Sequence, residues 1–133
     1  MTAITWNFQP GYLKTRTGIM TTMELVLACC ILMFYWLGGC AFLLGCVAFL
    51  HMFNSLYICL SALLTNEHIK IPFYHAIFHG CGSYLYIVVS TIWFVTELNN
   101  WKEKIWGIAA HGLALKVGIT HAIHAVAVVL QKT

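Results

Sequence analysis

The chain is predicted to be an all-α membrane protein, an antiparallel up-down-up-down bundle of four transmembrane helices. Three observations predict it. Four apolar stretches, residues 18–36, 40–64, 72–96 and 104–130, occupy nearly all of the 133 residues, and each matches the ~20 residues an α-helix needs to cross ~30 Å of hydrocarbon. Only 8% of the residues are charged and 61% are hydrophobic, whereas a soluble domain carries about 25% charged residues. The connections are short, so successive helices must lie side by side and antiparallel. Lipid supplies no partner for a free N–H or C=O group, which leaves helices as the conformation for such runs.

Residues 1–17 form a polar arm carrying Lys14 and Arg16. The apolar run after it exceeds the ~7–15 residues of a signal-peptide core and has no evident small-residue cleavage site, so it is expected to stay as the first helix. Leu37-Gly38-Gly39-Cys40 makes a tight turn into the second span. Residues 65–71 lead to the third, which Pro72 is suited to open. The segment from Glu97 to Glu103 leads to the fourth. Lys14, Arg16, Lys70 and Lys132 fall on one side of the membrane, Lys102 and Lys104 on the other. The excess of basic residues predicts a multi-pass protein of the plasma membrane or of vesicles with both termini cytosolic. Trp101, Trp106 and Tyr74 fall near span ends, where amphipathic rings settle at the interface.

Cys29, Cys30, Cys46, Cys59 and Cys81 lie within spans and only Cys40 approaches a surface. They are expected to serve as small packing residues, not disulfides. The net charge of +3 is spread over flanks and loops, which gives no footprint for nucleic acid.

Ionisable side chains inside the spans are the candidate functional residues, because charge at the bilayer centre costs roughly 2.5–3.5 kcal/mol on insertion scales. At ~1.5 Å rise per residue, Glu24, His79, His121 and His124 fall in one layer about 10 Å from the cytosolic surface. His51 and Lys116 fall deeper, near the midplane. The expectation is that the first layer hydrogen-bonds between helices and fixes their register. Ligation of haem or a metal is the alternative, since imidazole and carboxylate are competent ligands, and His75 with His79 would place two on one helix face. Proton handling is a third reading, and an ion-conducting bundle around Lys116 and His51 ranks lowest. No cofactor is expected on the first reading.

Ala110, Ala114, Gly118 and Ala122 recur every four residues along the fourth span, and Ala41 and Gly45 repeat the spacing once on the second. Small side chains at this spacing let helix backbones approach closely. The stripe is expected to pack inside the monomer, with Lys116 pointing nearly the opposite way. Nucleophile elbows, phosphate-binding glycine loops and paired catalytic carboxylates are missing, so no enzymatic activity is expected.

Gly11-Tyr12-Leu13-Lys14-Thr15-Arg16-Thr17-Gly18-Ile19-Met20, followed by Met23-Glu24-Leu25-Val26-Leu27, resembles the opening of MARVEL-domain proteins. There a short basic arm leads into a Gly-Ile/Leu pair and then a Glu-Leu-Val-Leu step. The resemblance is at the level of identity over the first ~30 residues and at the level of architecture beyond. It implies a non-enzymatic protein of membrane organisation, vesicle traffic or cell junctions. Its partners would be membrane lipid, including sterol-rich lipid, and another integral membrane protein or a second copy. The outer loops are short and lack the cysteines of adhesive members, which argues for lateral contact within the membrane.

Overall fold

A computed structural model describes residues 8–38, 41–64, 72–97 and 104–130. Four helices account for most of them: α1 (Arg16–Trp36), α2 (Phe42–Leu64), α3 (Pro72–Glu97) and α4 (Ile105–Leu130). All four are long and apolar enough to cross a membrane, and the chain is a multi-pass membrane protein. Their ends lie within two residues of the predicted spans. Gly38 turns the chain out of α1 with a φ of +75°, a left-handed conformation open to glycine at no steric cost. Gly39, Cys40, Trp101 and the basic residues Lys70, Lys102 and Lys132 lie outside the described residues.

The arm is more ordered than its polarity suggests. Pro10–Lys14 forms a short 3-10 helix, and the Gln9 N–H donates to the Leu63 carbonyl at the end of α2, 2.8 Å away. Tyr12 packs with Cys59 and Ala62 of α2. Burial raises its phenol pKa above the ordinary value, with Thr21 as a hydrogen-bond partner. Thr15 caps α1, its side chain accepting from the Gly18 N–H at 3.0 Å and donating to the Tyr12 carbonyl at 2.7 Å. Such a cap satisfies one of the free donors of a first helical turn, so α1 starts at Arg16. A Cβ on Gly18 would overlap the Tyr12 carbonyl, so the arm docks only because that position is bare.

α3 packs most extensively on α4, and α1 on α2; α1–α4 and α2–α3 contacts close the square, and the diagonal pairs meet through long side chains, Glu24 with His79 and His51 with His121. Each helix turns one i, i+3/i+4 face inward. On α1 it is Thr21, Glu24, Ala28 and Ile31, and on α4 Ala110, Ala114, Val117, Gly118, His121 and His124. Ala110 and Ala114 are fully buried. A Cβ on Gly118 would lie 2.8 Å from Ile87 Cγ1 and 3.3 Å from the Ser83 carbonyl. Ala110, Ala114 and Gly118 of the small-residue stripe face the interior of the bundle, and Gly118 lies against α3. Gly45 does the same for α1–α2, where a Cβ would meet the Tyr35 ring at 2.9 Å.

The exterior is apolar. Met23, Leu50, Phe53, Ile92 and Ile123 are exposed, the reverse of a water-soluble bundle and the pattern lipid selects. Thr22, Thr96 and Thr120 hydroxyls donate to carbonyls one turn back, at 2.8–3.0 Å, which removes unpaired donors from the helix surface.

Candidate functional site

One half of the bundle interior is a conventional apolar core, with Ile31, Leu44, Val47, Tyr86 and Val117 drawn from all four helices. The other half, toward the termini, is polar. Glu24 reaches in from α1, His79 from α3, and His121 and His124 from α4, and each is at most 1% exposed. The four residues that depth alone placed in one layer meet around a single point.

Glu24 Oε1 is the centre of the group. The Nδ1 atoms of His124, His121 and His79 lie 2.9, 3.2 and 3.4 Å from it. With Glu24 ionised, the His124 Nδ1–H donates to Oε1. His79 Nδ1 and His121 Nδ1 are themselves 2.9 Å apart, so one carries the proton and the other accepts it. The rings of His79 and His124 stack at 3.9 Å. Glu24 Oε2 and the Nε2 atoms of His79, His121 and His124 are buried and, among the described residues, have no hydrogen-bond partner.

The sequence spacing explains the convergence. His121 and His124 are i, i+3 on α4 and so share a face, which Gly118, one turn earlier, brings close to α3. Glu24 continues the inward face of α1 that begins at Thr21. α2 adds His51, whose ring lies 4.9 Å from that of His121 and whose Nδ1 donates to the Val47 carbonyl at 2.9 Å. A Cβ on Gly82 would overlap the His51 ring, so that glycine makes the room His51 occupies.

His51 and Lys116, which depth places in one deeper layer, face different ways. His51 is buried against the cluster, whereas Lys116 is exposed on the outer face of α4. The reason is angular: at ~100° per residue, Lys116 is turned away from the stripe that faces inward. His75 stacks beside His79 at 6.0 Å and does not join the groups that converge on Glu24. Tyr86 and His111 escaped the sequence reading. Tyr86 stacks on His121 at 5.7 Å, and its place seven residues after His79 would have marked it. His111 stacks flat on Trp93 at 4.4 Å, toward the opposite end of the bundle.

Glu24, His79 and His121 bring ligand atoms within 4.8 Å of one another, a donor set suited to a small cation. Haem does not fit. Two imidazole nitrogens 2.9 Å apart leave no space for a macrocycle between them. Comparison with family models, with curated proteins and with solved structures finds no match to this chain.

Proposed function

We propose that this protein is a non-enzymatic membrane organiser that acts by lateral contact, as a small subunit beside another integral membrane protein. The observation that carries this reading is Lys116. It stands on the outer face of α4, ~16 Å from Ile105 and ~21 Å from Leu130 at the helical rise. A lysine can snorkel only as far as its four-carbon stem allows, and neither interface is within that reach. Its backbone carbonyl accepts from the Thr120 hydroxyl, and among the described residues no carboxylate pairs with its ammonium. An ammonium in hydrocarbon pairs with a carboxylate when one is offered.

Among the described residues this chain does not offer one. Of its four acidic residues, Glu24 is buried among histidines and Glu97 pairs with Lys104 at the α3–α4 connection. Glu67 and Glu103 fall between spans in the sequence. The partner is therefore a different membrane protein with Asp or Glu near mid-span. Exposed Ile119 and Ile123 on the same face supply apolar contact around the ion pair, and the MARVEL-like opening agrees with this type of role.

A photo-crosslinking residue at Ile119, in native membranes, tests the proposal. The expected adduct is a membrane protein with a mid-span carboxylate. Lys116→Leu should reduce its yield at least tenfold while the bundle still folds, and so should neutralising that carboxylate. Adducts with lipid alone, or yield indifferent to Lys116→Leu, would refute the assignment.

A further inference from the structure

We infer that Glu24, His79 and His121 form a binding site for one divalent first-row transition-metal ion of the zinc(II) class, with His124 holding the carboxylate in place. Four distances carry this. Glu24 Oε1 lies 3.2 and 3.4 Å from the Nδ1 atoms of His121 and His79, and those two nitrogens lie 2.9 Å apart. A tetrahedral zinc site with bonds of ~2.0–2.1 Å sets its donors ~3.3 Å apart. The triangle already has the dimensions of one face of such a site. His124 Nδ1, 2.9 Å from Oε1, supplies the outer-shell hydrogen bond that orients ligating carboxylates.

Charge gives an independent reason. Glu24 is 1% exposed, and among the described residues no Lys or Arg pairs with it. A carboxylate that stays ionised inside hydrocarbon is stabilised by a positive charge close by. Neutral imidazoles supply none, whether hydrogen-bonded to it as His124 is or set beside it as His79 and His121 are; a divalent ion does. Glu24 Oε2 is buried and, among the described residues, has no hydrogen-bond partner, which leaves it able to join Oε1 as a second oxygen donor to the ion. Imidazole and carboxylate donors without thiolate suit zinc, copper, iron and nickel more than magnesium or calcium.

A route to the site exists. A cavity of about 290 Å³ opens between the start of α1 and the end of α4, lined by Arg16, Met20, Val128 and His124 among others. Its wall includes His124, whose Nδ1 lies 2.9 Å from Glu24 Oε1. An ion entering there meets His124 first and reaches Glu24 directly behind it. Phe78 and Tyr86 press against the His121 ring from the far side, so the cluster is approached from one end.

The full untagged chain, purified in detergent and stripped with chelator, is titrated with zinc(II) and separately with cobalt(II). The expected result is one equivalent of either ion per folded chain, with cobalt giving visible absorption of a four- or five-coordinate centre. X-ray absorption of the wild-type zinc form should show nitrogen and oxygen neighbours with imidazole scattering and no sulfur. His79→Gln with His121→Gln should abolish stoichiometric binding. His124→Gln should weaken it roughly 10–100-fold and shift the cobalt spectrum, and His111→Gln should change neither. Absence of one-equivalent binding by the folded wild type, a sulfur shell, or binding that survives the double variant would overturn the assignment. The wild-type spectrum decides the matter even where a variant does not fold.

Discussion

A chain carrying Ala114→Leu and Gly118→Leu together is expected to lose the α3–α4 interface and with it the folded bundle. At Gly118 the first added carbon already meets Ile87 Cγ1 at 2.8 Å and Tyr86 Cβ at 3.3 Å. A leucine adds three more carbons against α3. Ala114 is fully enclosed in the apolar core beside Val117 and Tyr86, so a larger side chain there has no empty space to enter. Overpacking costs about 1–3 kcal/mol per site, and the two sites are adjacent turns of one helix, so their costs interact. The measurement is thermal unfolding in detergent, followed by loss of the monodisperse peak. Ala122→Leu, at the half-buried end of the stripe, should be the milder change. An unfolding midpoint unmoved by the double substitution would mean that the stripe does not pack where the structure places it.

The second large effect is expected at Glu24. Glu24→Ala removes the acceptor for the His124 N–H and the atom around which three imidazoles gather. Each buried donor left unsatisfied costs roughly 1–3 kcal/mol, and the void left by the carboxylate adds to that. Glu24→Gln keeps the shape and one acceptor oxygen, and so should retain more stability than Glu24→Ala. Equal midpoints for wild type and Glu24→Ala, measured by the same unfolding assay, would show that the cluster contributes nothing to holding α1 against α3 and α4.

Much of this was legible in the sequence because lipid imposes simple rules. A span must be helical and about 20 residues long, so the helix ends could be read to within two residues. Antiparallel order converts residue number into depth, and depth alone grouped Glu24, His79, His121 and His124. Rotation was harder to read. A layer says how far in a side chain lies but not which way it points, and His51 and Lys116 were set together on depth while facing opposite ways. Their orientations follow from the inward face of each helix, fixed on α4 by the Ala110–Ala122 spacing and on α2 by Leu44, Ala48, His51 and Ser55.

The docked 3-10 helix was missed for another reason. Tyr12 is one of three aromatic rings in the arm, with Trp6 and Phe8, and nothing in the sequence singles it out; the bare position that lets it close over α1, Gly18, belongs to the span. His111 was missed because nothing in its own neighbourhood by sequence predicts Trp93 beneath it. That ring comes from α3, and only the α3–α4 pairing brings the two together.

The central claim is that α1, α3 and α4 close on one buried polar cluster inside the membrane. Solid-state NMR of the protein in lipid bilayers, labelled at histidine nitrogen and glutamate carbon, tests it most directly. Through-space correlations are predicted between the Glu24 carboxyl carbon and Nδ1 of His124, His121 and His79, and between His79 and His121, with none from Glu24 to His111. If the Glu24 carboxyl carbon shows no histidine neighbour, the helices do not meet as described and the account is wrong.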